Sequence, residues 1–186
     1  MRRETLYKIF SNPPTLKTDR LCLRAMRADD AEDMFEYSSL PAVTEYLLWR
    51  EHETVGFTRD YLKYIESRYS VGDFYDWAVV ERESGKMIGT CGFTRIDTVN
   101  NVGEIGYVLN PAYHGKGYAT EAAKEVVRFA KETLGLHRIE ARFMKGNEAS
   151  VRVMEHLGMT FEGYSIDAMF VKGEYKTIGI CAMVIN

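Results

Sequence analysis

Glu104-Ile-Gly-Tyr-Val-Leu-Asn-Pro-Ala-Tyr-His-Gly-Lys-Gly-Tyr-Ala-Thr-Glu-Ala122 is the stretch of the chain that decides the fold. A strand-like run ends at Asn110 and Pro111, a loop with two glycines follows, and an amphipathic helix begins within a few residues. Backbone N–H groups in the loop meet little side-chain obstruction at the positive end of the helix. This arrangement favours a bound anion, above all a diphosphate. The loop residues predicted to hold it are His114, Gly115, Lys116, Gly117, Tyr118, Ala119 and Thr120.

The two common nucleotide-binding signatures do not fit this loop. Thr120 stands where a dinucleotide fingerprint that starts at Gly115 requires its third glycine. The Gly-Lys-Ser/Thr of a P-loop is also missing, because Lys116 is followed by Gly117. The sequence therefore predicts a diphosphate that is carried by a molecule other than NAD or ATP.

The same stretch resembles the acetyl-CoA loop of the GNAT superfamily of N-acetyltransferases, whose pattern is Gln/Arg-x-x-Gly-x-Gly/Ala. Its longer form is similar to the ribosomal-protein alanine/serine N-terminal acetyltransferase branch. Residues 18–24 resemble the opening strand of that branch, and residues 147–150 with 156–163 resemble its last helix and the strand after it. Two positions depart from the pattern. His114 stands where Gln or Arg is preferred, and Met154 where many members carry a catalytic tyrosine.

Composition and charge narrow the class of protein. The 186 residues suit one domain with a substantial core, and a formal net charge of −3 gives no electrostatic footprint for nucleic-acid binding. No stretch approaches a membrane span, and no apolar run follows the basic N-terminus, so we expect a cytoplasmic protein without a membrane partner. Three cysteines in apolar contexts are interpreted as reduced core residues. The histidines and cysteines show no metal-ligand spacing, so we predict no metal site.

Hydrophobic periodicity predicts a single domain over residues 1–186, with an N-terminal arm of residues 1–15 and then the element order βααβββαβαββ. This order implies an α/β (α+β) fold with a mixed, mostly antiparallel central sheet of about seven strands flanked by helices. The resemblance implies the GNAT-type acyl-CoA N-acyltransferase fold. Helices are predicted from Asp29 or Asp30, over 54–69, 119–134 and 147–157, and strands over 21–26, 74–80, 86–95, 102–109 and 138–144.

By the same resemblance, the strand before the loop splays from its neighbour near Gly106, and the pantetheine arm of acetyl-CoA bonds into the gap. The residues that would offer main-chain groups to it are Tyr107, Val108 and Leu109. Asn147 has two interpretations, as N-cap of the last helix and as ligand of the pantetheine amide, and both can hold together. Arg152 is placed to contact a phosphate or, alternatively, to be solvated on the outer face of that helix.

Acetyl transfer to an amine needs a neutral nitrogen, a polarised thioester carbonyl and help for the departing thiolate. Glu104 shares a strand face with the splay point, so its carboxylate can take the amine proton directly or through a water, unless its role is structural. Ser150 is the candidate for hydrogen-bonding the thiolate, because Met154 cannot donate a proton. Its alternative role is capping in the first helical turn. In that case Tyr164, Tyr175 or a water would assist the thiolate.

The acceptor side is interpreted from charge. Eight acidic residues and one basic residue, Arg50, lie between residues 29 and 53, and the resemblance places this segment at the acceptor. An acidic lining would attract a cationic amine or a basic protein tail. The alternative, the solvated faces of amphipathic helices, accounts for most of these charges.

The sequence thus predicts an acetyl-CoA-dependent N-acetyltransferase, monomer or homodimer, in which an amine attacks directly in a ternary complex. The resemblance implies that the acceptor is the N-terminal α-amine of a protein, such as a ribosomal protein, without direct nucleic-acid contact. Two alternatives stay open. One is acetylation of a small amine such as an antibiotic, a polyamine or an amino acid, and the other is a non-catalytic acyl-CoA-binding module.

Overall fold

The computed structural model describes residues 2–185. Within that range, two short 3-10 turns (Ala28–Asp30 and Pro111–Tyr113) accompany the α-helices. The helices are α1 (Arg3–Phe10), α2 (Ala31–Ser38), α3 (Pro41–Thr44), α4 (Val55–Val71), α5 (Tyr118–Glu132) and α6 (Glu148–His156). No helix between residues 2 and 185 has both the length and the apolar character that a membrane crossing requires.

The strands form one sheet in the order β1-β2-β3-β4-β5-β6-β8-β7. They are β1 (Leu16–Lys17), β2 (Leu21–Arg24), β3 (Tyr75–Glu81), β4 (Met87–Asp97), β5 (Val102–Leu109), β6 (Arg138–Met144), β7 (Thr160–Val171) and β8 (Glu174–Val184). The pair β5–β6 is parallel, and the other neighbouring pairs are antiparallel. The predicted mixed, mostly antiparallel sheet is confirmed, and its additional strand is the two-residue β1 at one edge.

Helices cover both faces of the sheet, because successive strand residues point to opposite sides. Trp77 and Val79 of β3 pack in the core that α1 and α5 complete on one face. Ala78 and Val80 pack with α2 and α4 on the other. The predicted apolar stripe of α5 is largely buried, with Ala122, Ala123, Val126 and Ala130 each at most 1% exposed. The two cores hold the sheet between them and fix the strand ends where the candidate site lies.

The first fifteen residues, predicted as an arm, contain α1 and lead directly into β1. Leu6 and Phe10 of α1 are buried, and the Phe10 ring lies 5.4 Å from Trp77 and 6.2 Å from Phe129. The indole nitrogen of Trp77 donates to the carbonyl of Pro14 at 2.9 Å. The N-terminal segment therefore closes one end of the larger core instead of extending from the domain.

The helix predicted to start at Asp29 or Asp30 begins as a 3-10 turn and becomes α2 at Ala31. The Asp30 carboxylate accepts hydrogen bonds from the Arg27 backbone at 2.8 Å and from the Arg24 guanidinium at 2.6 and 2.8 Å. Ala31, Met34 and Tyr37 follow one another at three-residue spacing on the buried face of α2. Tyr37 is fully buried, whereas Phe35 is half-buried.

Candidate active site

Strands β5 and β6 separate in the middle of the sheet. Their parallel ladder ends with the pair Ile105–Ala141, while β5 continues to pair with β4 as far as Leu109. On its other edge, β6 is paired with β8 over its whole length, from Arg138 to Met144. The backbone of residues 106–109 therefore faces a gap on the β6 side. This is the splay that the resemblance implied, and it begins next to Gly106.

The gap opens into a cleft of about 750 Å³. The walls come from the strand ends of β3, β4, β5 and β6, from the segment between α3 and α4, and from the start of α6. Among the predicted site residues, those that line the cleft are Glu104, Tyr107, Val108, Asn147 and Ser150. The structure thus brings both catalytic candidates and three of the four proposed pantetheine ligands to one cavity, whereas Leu109 is not part of its lining.

The predicted diphosphate loop leaves the end of β5 just beyond this cleft. Gly115 and Gly117 have φ angles of +74° and +80°, the left-handed region that favours glycine. Gly117 is the N-cap of α5, so the first N–H groups of that helix have no intrahelical acceptor. The ring nitrogen Nε2 of His114 lies 3.0 Å from the Leu109 carbonyl oxygen, and the Lys116 ammonium lies 5.0 Å from the centre of the Tyr113 ring. Residues 114–117 of the loop are exposed and Tyr118 is buried, and a Cβ built on Gly115 meets no atom within 4 Å, which leaves room for a large anion.

Arg20 supports the loop from outside, a role that the sequence interpretation missed. Its guanidinium donates to the Lys116 carbonyl at 2.9 Å, pairs with Glu121 at 2.6 Å and lies 4.4 Å from the centre of the Tyr118 ring. These contacts tie the loop and the first turn of α5 to the residues before β2. The signal was present in residues 18–24, but only the tertiary structure shows what Arg20 contacts.

Glu104 lies on the cleft floor with both carboxylate oxygens engaged. The hydroxyl of Thr94 donates to Oε1 at 2.8 Å, and Nε of Arg142 lies 3.1 Å from Oε2. Thr94 reaches it because the β4–β5 register shifts between Phe93 and Arg95, which places an extra residue opposite Glu104. The side chain keeps 17% exposure, so the carboxylate is fixed in direction but remains accessible from the cleft.

The N-terminus of α6 forms the opposite rim. The Asn147 side chain accepts the backbone N–H of Ser150 at 3.1 Å, so its N-cap role is confirmed. The Ser150 hydroxyl lies 3.0 Å from the Tyr107 hydroxyl, which also donates to the Ser150 carbonyl at 2.9 Å. Burial raises the pKa of Tyr107 well above its usual value, so this phenol stays protonated and can donate. Sequence reasoning used only the main chain of Tyr107 and missed this side-chain contact.

Of the remaining positions considered from sequence, Met154 lies in the cleft and the others lie outside it. Met154 is buried at 1% exposure and its side chain lines the cleft, whereas Arg152 is exposed on the outer face of α6. Tyr164 lies on β7 and packs against Phe161 of the same strand and Phe143 of β6. Tyr175 lies on β8 beside Phe170 and is 67% exposed. Of the three side chains considered for assisting the thiolate, Ser150 lines the cleft, whereas Tyr164 and Tyr175 do not.

Only two of the eight acidic residues between 29 and 53, namely Glu51 and Glu53, line the cleft. Another carboxylate of the cleft lining, Asp76 of β3, was missed, although a lone acid inside an apolar strand run was a visible signal. Asp76 is half-buried at the bottom of the cleft, where desolvation raises the pKa of its carboxyl to about 7. His52 lies against Trp49 in the cleft wall, and burial lowers the pKa of its imidazole.

Comparison with known proteins agrees with this geometry. The acetyltransferase (GNAT) domain family matches residues 20–160. The uncharacterized N-acetyltransferase p20 of Bacillus licheniformis is 35% identical over 159 residues, which cover 86% of this chain and 89% of that protein. A GNAT-family acetyltransferase structure from Bacillus anthracis has a TM-score of 0.81 at 29% identity and covers 92% of this chain and 98% of its own.

The structure of ribosomal-protein-S5-alanine acetyltransferase from Vibrio fischeri shares the fold, with a TM-score of 0.75 at 21% identity over 92% of this chain and 96% of its own. The splayed strands, the glycine loop at the start of α5 and the family match all lead to one assignment. The chain belongs to the GNAT family and is an acetyl-CoA-dependent N-acetyltransferase.

Proposed function

We propose that this enzyme acetylates the N-terminal α-amine of a protein, with a ribosomal protein as the favoured acceptor. The observation that carries the proposal is the β5–β6 gap, which has an accessible carboxylate on its floor and a hydroxyl on its rim. The fold shared with the ribosomal-protein-S5-alanine acetyltransferase supports this class of acceptor.

In the proposed reaction, the loop from His114 to Thr120 binds the diphosphate of acetyl-CoA through its N–H groups. The backbone of residues 107–109 and the Asn147 side chain hold the pantetheine arm in the gap. The amine nitrogen then attacks the thioester carbon, so that a C–N bond forms and the C–S bond breaks. Glu104 takes the amine proton, directly or through a water, while the Ser150 hydroxyl donates to the departing thiolate.

The kind of base favours an α-amine over a lysine side chain. An α-amino group has a pKa of about 7.7–8.0, so roughly a tenth or more is neutral at pH 7, whereas lysine at about 10.4 is almost fully charged. Glu104 is a single carboxylate whose oxygens already accept from Thr94 and Arg142. Such a group suits an acceptor that is easily deprotonated.

The acceptor class is tested by incubating the purified protein with acetyl-CoA and a panel of amines. The panel contains peptides with a free N-terminal Ala or Ser, the same peptides with a blocked N-terminus and one lysine, and small amines. Mass spectrometry should show one acetyl group on the free N-terminus and none on the blocked peptides. Acetylation of small amines alone would reject the protein acceptor, and no acetylation of any member would favour the non-catalytic alternative.

Gly117→Val should weaken CoA binding by more than about tenfold, because a β-branched residue strains the left-handed backbone and tilts the loop N–H groups away from the anion. The space itself is adequate, since a Cβ on Gly117 would lie 3.6 Å from the Arg20 guanidinium. Isothermal calorimetry measures the affinity. Gly135→Val is the matched control, because Gly135 also has a left-handed φ (+60°) but follows the other end of α5. Unchanged affinity in a folded Gly117→Val variant would contradict the loop assignment.

Ser150→Ala should lower kcat by roughly 10- to 100-fold with little change in acetyl-CoA affinity, since the lost hydrogen bond is made to a developing charge. Tyr107→Phe should lower kcat in the same direction, and the double variant should be no slower than the slower single one, because the two hydroxyls act together. Tyr164→Phe serves as the control, and we expect it to keep the wild-type rate. Additive losses in the double variant, or a loss in Tyr164→Phe alone, would contradict this pairing.

Glu104→Gln should reduce activity most at low pH, where neutral amine is scarce, and the loss should shrink as pH rises above the pKa of the amine. Glu140→Gln is the matched control, because Glu140 lies opposite Glu104 on β6 and has the same 17% side-chain exposure. The measurement is kcat/KM from acid to alkaline pH. A Glu104→Gln profile parallel to wild type would show that Glu104 is structural and that the base is another group.

A further inference from the structure

Two residues at the β3 end of the cleft have a side-chain oxygen atom without a hydrogen-bond partner. Three buried side-chain polar atoms in residues 2–185 have no hydrogen-bond partner, and two of them, the Tyr37 hydroxyl and Oδ1 of Asp73, belong to residues that line this cleft. A buried polar group without a partner costs free energy that a bound ligand can recover. The third atom, the Ser38 hydroxyl, belongs to the residue next to Tyr37.

Asp76 lies at the same end. Its carboxylate accepts the Trp77 N–H at 2.9 Å and is also hydrogen-bonded by Thr90. Burial raises the pKa of Tyr37 and that of Tyr61, the latter to about 12, and the charge of Asp76 adds to both shifts. Neither donor to Asp76 carries a positive charge. Desolvation without a compensating cation explains why the pKa of Asp76 is raised.

The cleft lining as a whole contains more carboxylates than cationic side chains. Among the described residues, it contains two arginines and five carboxylates, namely Glu51, Glu53, Asp73, Asp76 and Glu104. Arg142, one of the two arginines, is already paired with Glu104 at 3.1 Å. At the β3 end, Arg68 pairs with Oδ2 of Asp73 at 2.5 Å, whereas the contacts of Asp76 include no positive charge.

Two glycines connect this end to the catalytic floor. Asp76 of β3 is opposite Gly92 of β4, which is opposite Gly106 of β5. A Cβ on Gly92 would lie 2.4 Å from the Cα of Asp76, so no larger residue fits there. With strands about 4.8 Å apart, Asp76 is about 10 Å from Gly106, across a floor without side chains. An extended acceptor can lie over this floor with its reacting amine beside Glu104.

We infer that Asp73, Asp76, Tyr37 and Tyr61 form a second acceptor subsite, which binds a protonated nitrogen about 10 Å from the amine that is acetylated. An ammonium group has three N–H donors and no acceptor, which complements a wall of carboxylate and phenol oxygens. The inference rests on the proposed function and adds a selectivity for acceptors with a second cationic group. That group is either a basic side chain near the N-terminus of a protein or the far nitrogen of a diamine.

Two matched pairs of substrates test the subsite and separate its two sources. One pair is a peptide that begins with Ala and has lysine or uncharged norleucine at its second position. The other pair is 1,5-diaminopentane and pentylamine. We expect kcat/KM of the wild type to favour the charged member of at least one pair by about tenfold or more, as a hydrogen-bonded charge does.

Asp76→Asn should reduce this preference to near one by lowering kcat/KM for the charged member far more than for the neutral one. Tyr37→Phe removes a hydroxyl that has no partner in the free protein, so we expect it to fold normally and to reduce the preference as well. Asp60→Asn, which removes an exposed carboxylate on α4, is the control and should leave both values unchanged. Thermal unfolding of each variant shows whether it is folded.

The outcomes distinguish this inference from the proposed function. A preference for the diamine that depends on Asp76, with inert peptides, would support the subsite and reject the protein acceptor. Equal kcat/KM within both pairs in the wild type would overturn the subsite and leave acetyl transfer intact. An Asp76→Asn variant that loses charged and neutral substrates equally would also overturn it, because Asp76 would then be structural or a base. Failure to acetylate any of the four would overturn both.

Discussion

The divergence of β5 and β6 after the pair Ile105–Ala141 is the constraint on which the rest of the site depends. In a continuous sheet, the backbone groups of residues 106–109 would be bonded on both sides, and no extended ligand could enter. Here one side is bonded to β4 and the other is open to the gap. Backbone N–H and C=O groups need partners, so the gap accepts an extended chain with amide groups, which the pantetheine arm of acetyl-CoA provides.

The opening also decides which side chains can cooperate. Because β6 separates from β5 while it stays paired with β8, the N-terminus of α6 lies at the rim of the gap, and Ser150 comes within hydrogen-bonding distance of Tyr107. Tyr107 is held on its own strand by pairing with Cys91. The strand hydroxyl and the helix hydroxyl are thus positioned by separate elements. In the proposed function, this cross-gap contact takes the place of a tyrosine at position 154, where the chain has a buried Met.

Local features of the site were predictable from sequence, whereas features that depend on strand register were not. The glycine loop, the α5 stripe and the Asn147 cap depend on residues within a few positions of one another, so periodicity and residue type reveal them. The position of Asp76 across Gly92 from Gly106 depends on two strand pairings and on the extra residue in β4. The burial of Phe10 against Trp77 likewise joins residues 67 positions apart, which no local pattern indicates.

The two carboxylates at the ends of the glycine floor differ in what surrounds them. Glu104 is matched by Arg142 and by the Thr94 hydroxyl, so its charge is compensated before any substrate arrives. Asp76 is desolvated with neutral donors only, and this burial raises the pKa of its carboxyl to about 7. A cation bound beside Asp76 would favour the charged form and supply the missing compensation. The cleft is therefore electrostatically complete at its catalytic end and incomplete at its β3 end, and that difference gives an extended acceptor one orientation.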